Sequence, residues 1–132
     1  MKALKRLAYV HLTLGELLEA EIFLKRCVDL EPKESSHQTD VQVVKQLMSY
    51  KEEMKKAKFV FDYKTAELLA EKILQKCSED TNVKYIYLES LIQNCKAQEA
   101  LNFFKFKLND TESKREDFQY LLCQANFHDG KL

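Results

Sequence analysis

The sequence predicts an all-α protein on three observations. Glycine occurs twice and proline once in 132 residues, while Asp, Glu, Lys and Arg make up 32%, a mixture that suits helices better than strands and tight hairpins. Apolar residues recur three and four positions apart along the chain, the spacing of one helix face. A helix-turn-helix plan also returns at a fixed interval: Ala66 to Ala100, Leu74 to Leu108, Lys84 to Phe118 and Tyr87 to Leu121 are each 34 residues, a period specific to stacked helix pairs. The length suits one domain with a core that needs no disulfide or metal staple.

The elements follow in order. Leu4, Leu7, Ala8 and His11 share a first helical face, and Ala20, Phe23, Leu24, Cys27 and Leu30 a second. Gly15 supplies a left-handed turn between them, and Pro32 stops the second helix because it cannot donate or continue. One antiparallel pair therefore occupies residues 1–31. Residues 33–39 read as a polar loop, with Thr39 or Asp40 capping the next helix. That helix runs from near Asp40 to Phe61, carries Val41, Val44, Leu47, Met48, Met54 and Ala57, and spans roughly 30 Å.

Asp62-Tyr63-Lys64 breaks the pattern before Ala66, Leu69, Ala70, Ile73, Leu74 and Cys77 resume it. Tyr87, Leu88 and Leu91 form the next helix, a turn lies near Asn94-Cys95-Lys96, and Ala100, Phe103, Phe104 and Leu108 form its partner. A last helix carries Phe118, Leu121, Leu122 and Ala125, with a turn at His128-Asp129-Gly130. The total is about seven helices, organised as residues 1–39 and 40–132. Ala20 to Ala66 measures 46, one period plus 12 residues, which predicts that the helix from Asp40 is an extended connector. Phe118, Leu121 and Leu122 lack a covering partner in the sequence, so they are expected to be half exposed and able to drive self-association, as in a piece of a longer array.

Leu4, Leu7, Ala8, Gly15, Ala20, Leu24, Cys27 and Pro32 together resemble one unit of the tetratricopeptide repeat family. The resemblance implies a right-handed superhelix of antiparallel helix pairs. Met54, Leu88 and Leu122 depart from it, standing where the family has a small residue, and Lys107 stands where it has alanine. Leu12-Thr13-Leu14-Gly15, Asp29-Leu30, Met48, Tyr50 and Asp62-Tyr63 extend the similarity to the J-domain co-chaperones of DnaJ subfamily C, member 7 type. That similarity implies binding to the heat-shock chaperones of 70 and 90 kDa and a part in client transfer. It does not bring ATPase stimulation, because the His-Pro-Asp loop of a J domain is missing from this sequence.

Lys2, Lys5 and Arg6 cluster on the first helix. In the tetratricopeptide domains that hold chaperone tails, a Lys and an Arg four residues apart grip the terminal carboxylates of an acidic peptide, and Lys2 and Arg6 match that pair. Lys5 and Tyr9 would line the same groove. One turn of helix places Lys2 and Arg6 on one face, and Arg can bind a carboxylate with two parallel bonds. Two ordinary surface cations are the competing reading, and with it a general scaffold that binds another helix or peptide.

Other chemistries find little support. Lys plus Arg equals Asp plus Glu, 21 each, so no net field draws nucleic acid or an acidic membrane, and any electrostatic partner must be read by a local patch. No membrane span or signal peptide is legible. Cys27, Cys77, Cys95 and Cys123 are too scattered for zinc or redox motifs and read as free thiols. This points to the cytoplasm, with the nucleus open as well. His11 reads as packing, and His37 and His128 as solvated. The stretch 51–58 reads as a solvated face with Glu52 and Lys56 pairing locally, and at least two of Phe103, Phe104 and Phe106 as core. Without a hydrolase, metalloprotease or phosphate-loop motif, no catalytic residue, metal or cofactor is expected.

Overall fold

Three turns of the same construction organise the chain. Gly15, Phe61 and Cys95 have φ of 83°, 61° and 63°, and in each turn the following N–H returns to a carbonyl five residues back. Glu16 N–H bonds His11 O, Asp62 N–H bonds Ala57 O and Lys96 N–H bonds Leu91 O, all at 2.8 Å. The left-handed residue donates three residues back, to Leu12, Lys58 and Ile92, which completes a Schellman cap. Glu16, Asp62 and Lys96 are in turn the N-caps of the helices that follow. The three turns lie 46 and 34 residues apart, the two intervals already present among the apolar positions.

The computed structural model describes residues 2–108, 112 and 114–128, excluding the side chains of Lys2 and His128. The described residues form seven helices and no strand: α1 Lys2–Leu14, α2 Leu17–Leu30, α3 Ser35–Phe59, α4 Tyr63–Leu74, α5 Thr81–Gln93, α6 Ala97–Lys107 and α7 Glu116–His128. Each packs on its chain neighbour from α1 to α6, and α5, α6 and α7 meet as a group of three. The expected turn residues Asp129 and Gly130 lie outside the described residues.

The connector is longer than expected and starts earlier. Glu34, not Thr39 or Asp40, is the N-cap of α3, its carboxylate accepting from Ser36 N–H at 3.4 Å. Thr39 is already inside the helix, donating to Ser35 O at 3.2 Å. Pro32 does stop α2, but residues 31–34 suffice for the turn once a carboxylate is placed to cap it. With 25 residues against 13 in α5, α3 spans about 37 Å and accounts for the 12-residue difference between the two intervals. The early start also buries His37, expected in solvent, with its Nε2 3.4 Å from Glu31 Oε2.

Alanines at the helix crossings let the first core close tightly. Ala8, Ala20, Ala66 and Ala70 are buried with Leu24, Val44, Leu47, Met54 and Ile73, and small residues permit short axis separations. The second core is aromatic: Leu88, Leu91, Ile92, Ala100, Phe118 and Leu121 are buried, with Tyr85, Phe103 and Phe104 packed around them. Phe106 is exposed, so two of the three clustered phenylalanines join the core. Phe118 and Leu121 are 0% and 2% exposed, contrary to the expectation of half-covered residues, whereas Leu122 is partly exposed as expected. α7 lays its face into the groove between α5 and α6, and Tyr85 meets Phe118 edge-on at 5.6 Å. Exposed apolar residues occur on the first pair, at Leu7, Val10, Leu14, Leu18 and Ile22, among other positions.

Candidate functional site

The cations of α1 divide into a bound set and a free one. Lys5 and Tyr9, one turn apart, both face α3: Lys5 Nζ lies 3.5 Å from Ser36 Oγ and 3.9 Å from Asp40 Oδ2, and Tyr9 donates to the same carboxylate oxygen at 3.4 Å. These contacts are long and partly exposed, so they orient α1 on α3 more than they stabilise it. Their polar ends are thereby engaged in the α1–α3 seam. Arg6 is exposed and has no ion-pair partner among the described residues. The side chain of Lys2 lies outside the described residues, and its alignment with Arg6 rests on the turn of α1 that separates them.

A second polar constellation, which matches no sequence motif, gathers at the start of α5. Asp80 is buried and caps that helix, accepting from Val83 N–H at 3.4 Å. Its Oδ2 forms an ion pair with Lys51 Nζ of α3 at 2.5 Å without a directional hydrogen bond. Lys51 also donates to Gly15 O at 2.8 Å, and Glu79 N–H donates to Thr13 O at 2.9 Å. The α4–α5 connection is therefore tied to the α1–α2 turn, and any Cβ at Gly15 would run into the Asp80 carboxylate.

Four residues on, Lys84 is 1% exposed and reaches Glu112 Oε1 at 2.8 Å and Glu79 Oε2 at 3.3 Å. Thr81 donates to the other Glu112 oxygen at 2.5 Å. The signal was available: Lys84 stands one period before Phe118, a lysine in register with a core phenylalanine.

Nothing in these contacts forms a nucleophile with its base. His11 pairs with Glu16 at 2.7 Å and stacks on Phe23 at 5.4 Å, and His37 hydrogen-bonds Glu31. No group of three His, Cys, Asp or Glu residues that could hold a metal occurs among the described residues. All four cysteines are free, Cys27 and Cys77 buried, Cys95 and Cys123 exposed. Burial pushes the Cys77 thiol up to about 11, with Asp80 adding to the rise and Lys51 opposing it.

The expected local pair of Glu52 and Lys56 is not among the ion pairs of the described residues, and two other lysines of 51–58 reach other helices. Lys51 holds Asp80, and Lys58 lies 3.7 Å from Glu89 and over the Tyr85 ring at 5.3 Å. Among the described residues no helix is long and apolar enough to cross a membrane. Compared with known proteins, the chain matches no family model, no curated protein and no solved structure.

Proposed function

We propose that the chain is a non-catalytic protein-binding scaffold of tetratricopeptide type, serving a co-chaperone that engages the heat-shock chaperones of 70 and 90 kDa. The observation that carries this reading is the recurrence of one capped turn at Gly15, Phe61 and Cys95. Identical turns at repeat spacing stack helix pairs side by side, and stacked pairs offer extended binding surfaces rather than reaction centres. The recognition element is Arg6, exposed on α1, with Lys2 one turn before it. Lys5 and Tyr9 position α1 through Asp40 and do not grip the ligand.

Titration of an acidic peptide with a free C-terminal carboxylate tests the reading. Two charge-assisted contacts on an exposed helix give weak binding, with a dissociation constant near roughly 1 mM. Arg6→Ala should weaken binding about tenfold, and amidating the peptide should do equal damage. Equal affinity for the amidated peptide would sink the clamp.

One observation favours a second reading, a scaffold for another helix. Leu7, Val10 and Leu14, at helical spacing on α1, and Leu18 and Ile22, one turn apart on α2, are all exposed, and exposed apolar residues at one helix's spacing can receive a partner helix. Binding lost in Val10→Asp but indifferent to the peptide's carboxyl end would select it.

A further inference from the structure

The turn between α3 and α4 carries three consecutive apolar residues with almost nothing over them. Phe59, Val60 and Phe61 are 85%, 67% and 76% exposed. Phe61 also adopts the left-handed conformation that Gly15 and Cys95 adopt at the two equivalent turns. That conformation is costly for a side chain with Cβ and most costly for a bulky one, and such strain usually marks function. Burial does not compensate it here, so folding does not explain why an aromatic residue stands where glycine would be best.

The knob is braced from behind. The Phe61 ring leans on Tyr63 at 6.3 Å, Tyr63 OH donates to Glu89 Oε1 at 3.2 Å, and Asn94 Nδ2 donates to Tyr63 O at 3.1 Å. Three successive, largely exposed side chains at the junction of α3 and α4 form a projecting apolar tip. Such a shape suits a medium that yields around it.

Charge around the tip is one-sided. Residues 55–64 contain Lys55, Lys56, Lys58 and Lys64 against a single acid, Asp62. The Asp62 carboxylate is occupied by the N–H and hydroxyl of Thr65, and Glu89 offsets Lys58. Exposed Lys55, Lys56 and Lys64 remain as a basic collar, with Glu52 and Glu53 a turn farther from the tip. The whole chain has no net charge, so attraction must be local and short-ranged.

We propose that the Phe59-Val60-Phe61 tip, with its lysine collar, inserts into the headgroup region of an anionic lipid bilayer. Aromatic and aliphatic groups partition into that region, and lysines keep their ammonium groups at the anionic surface while their stems follow the apolar residues inward. The association is peripheral and reversible.

Co-sedimentation of the 132-residue chain with vesicles tests this, using phosphatidylcholine alone or with about 30 mol % phosphatidylserine. Binding should be at least about tenfold stronger to the anionic vesicles and should fall as salt rises. Phe61→Gly supplies the residue the turn prefers, so its thermal midpoint should equal or exceed that of the unsubstituted chain while anionic binding drops about tenfold. Lys55→Glu with Lys56→Glu should remove the preference for anionic lipid. Failure of the unsubstituted chain to sediment with anionic vesicles would overturn the proposal and assign the tip to a protein partner. Undiminished binding by a folded Phe61→Gly variant would overturn it too.

Discussion

Asp80 and Lys84 sit one turn apart at the head of α5, and each meets an opposite charge from a distant part of the chain. Asp80, itself 6% exposed, reaches back to Lys51 on α3, whose side chain is 20% exposed. Lys84 reaches forward to Glu112, and both side chains are almost wholly buried, at 2% and 4%. The chemistry is the same but the surroundings differ. A charge at the rim keeps part of its hydration when its partner is lost, whereas a buried one has protein alone around it. The rim pair therefore orients two helix pairs around a partly exposed lysine, while the buried pair ties Glu112 to the head of α5 with both charges in the interior.

The largest effect should separate the two junctions directly. Lys84→Ala leaves Glu112 buried without its lysine, and urea denaturation should record a loss of about 3–5 kcal/mol. Lys84→Met combined with Glu112→Leu should recover most of it, because the charge that needed compensation is gone. If the single and double variants are equally unstable, the loss is one of packing rather than of charge.

A smaller effect belongs to the Asp80 side. The Cys77 thiol is raised from 9.0 to about 11 by burial, which Lys51 opposes and Asp80, more weakly, reinforces. Below pH 9.0 both folded and unfolded chains hold the proton and stability does not depend on this group. Between that value and about 11 the unfolded chain ionises first, so stability falls with rising pH, by roughly 2–3 kcal/mol in total. Cys77→Ala should flatten the difference across that window in chemical denaturation. An unchanged pH profile would show that the thiol senses neither burial nor Asp80.

The smallest effect is expected from Asp80→Asn. Lys51, 20% exposed, keeps part of its hydration and its bond to Gly15 O, and the amide oxygen can still accept from Val83 N–H. The cost should be about 1–2 kcal/mol, well under that of Lys84→Ala. A cost matching the Lys84 variant would erase the distinction between rim and interior.

Much of this architecture is legible in the sequence because helices and their turns are local. Gly15, the break at 62–64 and the turn at 94–96 fall where the structure turns, and Ala66 and Ala100 sit in the core as their spacing requires. What escaped depends on side chains meeting across the fold. Glu34 is unremarkable in sequence until it caps α3, and His37 becomes buried because that cap starts the helix early. The contacts of Lys5 and Tyr9 with Asp40 of α3 are equally invisible, since they join residues more than thirty positions apart. Phe118 and Leu121 looked uncovered because periodicity along α7 does not reveal which helices enclose it.

α3 has a further consequence for how the molecule comes apart. In a stack of separate units each could fray alone, since its stability depends on itself and its immediate neighbours. α3 packs on both α2 and α4, and its 25 residues form one uninterrupted helix. Losing either neighbour exposes part of a helix that the other still needs. The first four helices are thus coupled into a single cooperative block. Its slowest-exchanging amides should lie midway along α3, between Val44 and Met54, where protection requires both sides to remain in place.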